Sequence, residues 1–291
     1  MFAYSLLAGI LYGLFFGLVG LGLNLIFGVM RIVNLAHGDF MMLGAMGAFW
    51  VYRLLGWNPL ITIPLLGVAF ALAGLALYYL LVPRLAKLKD FEMISLVLFF
   101  GLSQAIEALA VIAFGNNPRA IYQPVFGAKP VHFLGQTFPV AWPVSALVSL
   151  VCIILVYLYL YRTRVGYATR AVMASREEAA ASGVNVDLMS AIAFGVGLIL
   201  AAVAGMLSLF MLGSVSPNFG GSITITAFAI VVIGGLGDPV GTVIGGLIYG
   251  IALMIMQSYL PSWASVLPYV LLVATLLARP GGILGKEVRH V

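Results

Sequence analysis

Polar residues are few in this chain, and four groups of them have types and spacings that could do chemistry. The first is Asn34-Leu35-Ala36-His37-Gly38-Asp39. It reads as a helix start, with Asn34 capping and Gly38 easing a turn, or as unwound backbone lining a polar route. On the second reading Asn34, His37, Gly38 and Asp39 form the wall of that route. The second group is Ser103 with Glu107, one helical turn apart and so facing the same way. A carboxylate deep in an apolar segment costs about 2.5–3.5 kcal/mol when unpaired, so Glu107 must face protein or water. The third group is Gly234, Gly235 and Gly237, which suits close helix packing or yielding backbone beside the same route.

The fourth group lies between Arg162 and Asp187 and carries dense charge of both signs. Ser175 followed by Glu178 reads as a capping box: the hydroxyl accepts from the Glu178 N–H, and the carboxylate reaches back to the Ser175 N–H. Ala168 to Met173 are good helix formers, and the Ala-rich run from Arg176 to Ser182 stops at Gly183, a natural left-handed residue after a helix. Asp187 is placed to cap the helix that follows. The alanines leave a thin surface that another backbone can approach closely. Two short helices forming a docking element are therefore expected, with Arg170, Ser175, Arg176, Glu177, Glu178 and Gly183 as its working residues.

Catalytic constellations are not found. There is no His-Glu-x-x-His, no Cys/His cluster with metal-ligand spacing and no Gly-x-Ser-x-Gly. The tail Gly281-Gly282-Ile283-Leu284-Gly285-Lys286 is one residue short of a phosphate loop, has Glu287 where that motif needs Ser or Thr, and follows no strand. No catalytic residue, metal or cofactor is expected.

The elements that must position these groups follow from composition. The 291 residues are 63% hydrophobic and 8% charged, with a mean hydropathy of +1.16. A soluble domain averages about 25% charged residues, so the chain reads as an all-α, polytopic membrane protein forming one domain, 1–291. The net charge of +5 sits in connections, which points to membrane orientation and away from nucleic acid. Cys152, the one cysteine, cannot form an internal disulfide. The N-terminus lacks a basic region, so the first segment reads as a retained span.

Apolar runs give eight or nine segments: about 4–27, 40–55, 60–82, 93–114, 140–161, 188–212, 223–236, 240–259 and a last one ending near 278. Gly13 and Gly17 in the first, and Gly241, Gly245, Gly246 and Gly250 in the eighth, are close-packing pairs. Segments two and seven are short or glycine-broken, so each either crosses or re-enters. Residues 115–139 read as a loop without periodicity. The basic connections are Arg84 to Lys89, the stretch with Arg162, Arg164, Arg170 and Arg176, and the tail with Arg279, Lys286 and Arg289. Nine crossings put all three on one side, which is then cytoplasmic, with the N-terminus outside.

Several motifs now agree. Gly22-Leu23-Asn24-Leu25-Ile26-Phe27-Gly28-Val29-Met30-Arg31-Ile32-Val33-Asn34-Leu35-Ala36-His37-Gly38-Asp39-Phe40-Met41-Met42-Leu43-Gly44-Ala45 resembles the signature of the high-affinity branched-chain amino-acid permeases of bacterial ABC importers, H-type subunit. Arg162-Thr163-Arg164-Val165-Gly166, Arg170-Ala171-Val172 and Gly183-Val184-Asn185-Val186 resemble that family's cytoplasmic loop. Ala227-Phe228 through Gly234-Gly235-Leu236-Gly237, and Arg279-Pro280-Gly281-Gly282, match its C-terminal half. In the wider importer loop pattern three residues separate Glu-Ala-Ala from Gly, whereas here Glu178-Ala179-Ala180 leaves two before Gly183.

The resemblance implies a permease related to the vitamin B12-type importer fold, in the bacterial inner membrane. It implies a second homologous permease, two ATP-binding subunits and a periplasmic binding protein as partners, with 162–186 as the ATPase-coupling loop. Substrates of such a family include other amino acids, urea, short amides and aromatic acids. An ATP-independent secondary transporter or channel is the reading from a different class, and a purified chain that transports alone would favour it.

Overall fold

The computed structural model describes residues 1–85, 88–122, 125–127 and 129–285. Among them are eleven helices: α1 (Phe2–Met30), α2 (His37–Leu55), α3 (Thr62–Leu85), α4 (Phe91–Phe114), α5 (Ala141–Arg162), α6 (Arg164–Ala174), α7 (Arg176–Ala181), α8 (Val186–Met211), α9 (Phe219–Gly234), α10 (Pro239–Tyr259) and α11 (Leu267–Ala278). Short tight turns of helix precede α3 and α11. Seven of these stretches are long and apolar enough to cross a membrane. The nineteen-residue α2 and the sixteen-residue α9 bring the apolar segments to nine, against the eight or nine expected. Lys286 and Arg289, counted in the basic tail, lie outside the described residues.

Helices α1 and α8 form the centre and are buried over most of their length. Close packing through small residues is one of the main ways helices associate in lipid, and the glycines show how that is done. A side chain on Gly9 or Gly13 would sit 2.6 or 2.7 Å from the α-carbon of Ile251 or Leu247 on the antiparallel α10. Gly246 and Gly250 return the contact against Gly17 and Gly13. Of the glycines expected to pack closely, Gly246 and Gly250 thus face Gly17 and Gly13, whereas Gly241 and Gly245 pack on Gly234 and Ile230 of α9. Gly74 meets Gly195 where α3 crosses α8, and Gly44 lies on Ala202 where α2 crosses it.

At one end of the molecule Phe138 meets the start of α1 and Arg119 meets the loop before α9. Tyr4 stacks on Phe138 with 5.1 Å between ring centroids, and the backbones of Arg119 and Val215 pair. The stretch 115–139 is not wholly irregular as expected: Val131–Phe133 (β1) and Gln136–Phe138 (β2) form an antiparallel hairpin. Its turn residues Leu134 and Gly135 both have positive φ, 48° and 73°. Such turns are usually announced by Asn-Gly, and leucine hides this one. The basic connections gather at the other end. Tyr78 near the end of α3 lies beside Asp187 at the start of α8, and the residues after α9 meet Gly28 at the end of α1.

Candidate functional site

The stretch from Asn34 to Asp39 does not follow α1 out of the bundle but returns along it. The His37 Nε2–H donates to the carbonyl of Val19 at 3.1 Å, whereas α1 runs on to Met30, about 16 Å further at 1.5 Å per residue. Helix α2 thus begins beside the middle of α1. Arg31 starts the return in the left-handed region, φ 59°, closing α1 with its own N–H on Phe27. Asn34 does not cap α2. Its Oδ1 accepts from the Ala36 N–H at 3.1 Å, and Ala36 is the residue before the helix, because an Asx turn is needed to reverse the chain first.

The first turn of α2 lies against the first turn of α9. The Gly38 N–H donates to Thr224 Oγ1 at 2.9 Å, and a β-carbon on Gly38 would strike the Gly220 carbonyl. Asp39 occupies the space that a side chain on Gly220 would fill. Asn34, His37 and Asp39 are wholly buried, and Asn34 Nδ2, His37 Nδ1 and both oxygens of Asp39 have no hydrogen-bond partner among the described residues. Ser103 and Glu107 on α4 come close enough to act on the Asp39 carboxylate, yet the Ser103 hydroxyl does not meet hydrogen-bond geometry with it. The sequence-level groups around Asp39 and Glu107 are therefore brought together.

The glycine group is not part of that cluster. Gly234, Gly235 and Gly237 sit at the far end of α9, about 15–21 Å along the helix from Thr224 and Gly220. Gly234 packs on Gly241 of α10. Gly235 has φ 114°, and a β-carbon there would lie 2.6 Å from the Gly285 nitrogen. The tail folds back to make these contacts: the Ile283 and Leu284 N–H groups donate to the carbonyls of Ile233 and Gly234 at 2.9 and 3.1 Å, capping α9. Asn24, buried in α1, holds the turn between α9 and α10. Its Oδ1 accepts from the Gly237 N–H at 2.6 Å, and its Nδ2 donates to Thr242 Oγ1 at 2.5 Å.

The two short helices expected between Arg162 and Asp187 are present as α6 and α7. Thr163 caps α6 by accepting from Gly166, and Ser175 caps α7 by accepting from Glu178 at 3.3 Å. The second half of the capping box is absent. The Ser175 N–H is already donated to the Ala171 carbonyl at 3.0 Å, so the Glu178 carboxylate has nothing to reach back to. Gly183, φ 83°, ends the element as expected. The cap of α8 is Asn185, accepting from Leu188 at 2.9 Å, and Asp187 lies inside the first turn.

Glu177 and Glu178 face outward, while the two arginines turn inward. Arg170 donates from Nε to the Leu160 carbonyl at 3.0 Å and stacks over Tyr161, 4.3 Å from the ring centre. Arg176 donates to the Val29 carbonyl at 2.8 Å, one of the unpaired carbonyls ending α1. Arg31 reaches the Met173 carbonyl at 3.5 Å. The outward element is thus tied to the end of α1 and to the first residue of the return that leads to Asp39. Among the described residues no three of His, Cys, Asp and Glu gather as a metal site.

A family of branched-chain amino acid transport systems, permease component, matches residues 5–276. The chain belongs to that family. This permease is 30% identical over 297 residues to a probable branched-chain amino acid transport permease, LivH, of Methanocaldococcus jannaschii, covering 96% of this chain and 91% of the relative. It is 28% identical over 302 residues to the high-affinity branched-chain amino acid permease LivH of Escherichia coli, covering 100% and 98%. It is 27% identical to the corresponding permease BraD of Pseudomonas aeruginosa, covering 99% and 97%. No solved structure matches the permease. Sequence reasoning passed over Asn24 and Thr224 as site-building residues. The only signal for Asn24 is a lone amide in an apolar segment.

Proposed function

We propose that this permease forms the membrane route of an ATP-driven importer for branched-chain or related amino acids in a bacterial inner membrane. The similarity from end to end to permeases named for branched-chain amino acid transport carries this reading. In it, the chain is one permease domain working beside a second homologous permease, with two ATP-binding subunits hydrolysing ATP and a periplasmic binding protein delivering the solute. Its kinship with vitamin B12-type importers belongs to the same proposal and rests on the motif resemblance. Lys and Arg mark the end bearing α6 and α7 as cytoplasmic, which sets the N-terminus outside and the C-terminus inside.

The ATPase docks on α6–α7, with Glu177 and Glu178 outward and Arg170, Ser175, Arg176 and Gly183 shaping the element. Its movement passes through Arg176 to Val29 and through Met173 to Arg31, and so along the return to His37 and Asp39. The route itself runs past Asn34, His37, Gly38, Asp39, Ser103 and Glu107, and leaves by the end of α9 at Gly234, Gly235 and Gly237. Non-helical backbone at membrane depth persists only beside protein or water, which supports a route at the Arg31–Ala36 return. Deleting the gene should abolish high-affinity uptake of radiolabelled leucine, and restoring the chain should recover it. Unchanged leucine uptake in the deletion strain, with no other importer of that substrate present, would sink the substrate reading.

A further inference from the structure

We propose that Asp39 and Glu107 together receive the α-ammonium group of the solute as it crosses, an inference that rests on the amino-acid reading above. Asp39 has 0% exposure and neither of its oxygens finds a donor. A buried carboxylate without donors is costly, and most buried charges are paired. Here the Ser103 hydroxyl comes close without meeting hydrogen-bond geometry, and other nearby donors are used elsewhere. The Gly38 N–H of the same turn is taken by Thr224, and the Asp39 N–H by the Ala36 carbonyl. The His37 Nε2–H is taken by Val19. No lysine or arginine pairs with Asp39 among the described residues, and the charged group that acts on it is a second carboxylate, Glu107.

Two features hold the negative charge in place. Asp39 stands in the first turn of α2 and against the first turn of α9, its Cγ 2.7 Å from where a side chain on Gly220 would begin. Helix starts carry positive partial charge, so both favour an anion between them. What is missing is a donor that arrives from outside the fold, and an ammonium brings three N–H groups on one positive charge. Glu107, on the different helix α4, lies within electrostatic range of Asp39, so a second acceptor is available to the same cation. A urea or aromatic-acid substrate carries no such cation, so a working pair here selects for amino acids within the substrates open to the family.

The test uses the assembled importer, purified with its partner subunits and reconstituted in liposomes with the binding protein and leucine. Asp39→Asn keeps the shape and removes the charge. Losing a charge-assisted contact should lower the uptake rate about 10–100-fold, with Glu107→Gln lowering it less. ATPase co-purification and leucine affinity of the binding protein should not change. Independently of any variant, a membrane-soluble carbodiimide should modify Asp39 in the wild-type importer, read by mass spectrometry, and leucine turnover should suppress that modification. Wild-type uptake in an assembled Asp39→Asn importer would overturn the proposal. So would Asp39 labelling that is absent, or equal with and without leucine, which still decides the matter if the variant does not assemble. Loss of leucine transport by the wild-type importer would instead refute the amino-acid reading itself.

Discussion

Replacing Asn24 by Leu should destabilise the permease by about 2–4 kcal/mol. The two side chains share the same branched skeleton, so no cavity is left, and the bulkier leucine methyls can only add to the cost at this buried site. What is lost is polar. The pair with Thr242 is a side-chain hydrogen bond between helices α1 and α10, a kind worth about 0.6 and at most about 1.7 kcal/mol in a membrane. Thr242 keeps a partner, because its hydroxyl also donates to the Asp238 carbonyl at 2.9 Å. The half-buried Gly237 N–H has no such reserve among the described residues, and leaving it unsatisfied costs about 1–2 kcal/mol, the lower part of the range for buried donors. Thr242→Val should therefore cost clearly less than Asn24→Leu. The double variant should show coupling no larger than the Thr242 term. The assay is reversible unfolding of the purified membrane domain in mixed micelles, titrated with dodecyl sulfate. An Asn24→Leu effect below about 0.5 kcal/mol, or one equalled by Thr242→Val, would refute the claim that Asn24 holds the turn between α9 and α10.

Gly38→Ala should prevent assembly, because its β-carbon would strike the Gly220 carbonyl, whereas Gly221→Ala, which meets open space, should be silent; co-purification of the partner subunits reads both. Arg176→Ala removes a charged hydrogen bond to Val29 and should cost about 1.5–3 kcal/mol in the same unfolding assay. Glu178→Lys, on the exposed side of α7, should leave stability unchanged and uncouple ATP hydrolysis from uptake; normal coupling would count against docking there. With Cys152 replaced, a cysteine at Asn117 should react with an impermeant thiol reagent from outside, and cysteines at Lys89 and Ser182 only after the membrane is opened. Outside labelling at Ser182 would reverse the orientation.

Helix number and place were readable because twenty apolar residues announce a span whatever surrounds them, and Ser175 and Gly183 mark a helix start and stop within a few residues of themselves. Partners far away in sequence were not readable. Asn24 meets positions more than two hundred residues on, and nothing local says so. Two arginines of α6 and α7 show why charge alone misleads: Arg170 and Arg176 satisfy carbonyls of α5 and α1, while Glu177 and Glu178 face out. At the start of α8, Asn185 and Asp187 are both good caps, and the choice falls to the residue standing just before the first helical one. The Asn34–Asp39 group was legible as a polar break, but its return along α1 depends on the His37–Val19 contact, which no spacing rule contains.

The central claim is that this chain is the permease of an ATP-driven amino-acid importer. Its most direct test is leucine uptake into proteoliposomes containing either the chain alone or the chain with the subunits that co-purify with it. The account predicts accumulation only in the complete assembly, supplied with ATP and loaded binding protein. Leucine uptake by the chain alone, without ATP, would contradict it.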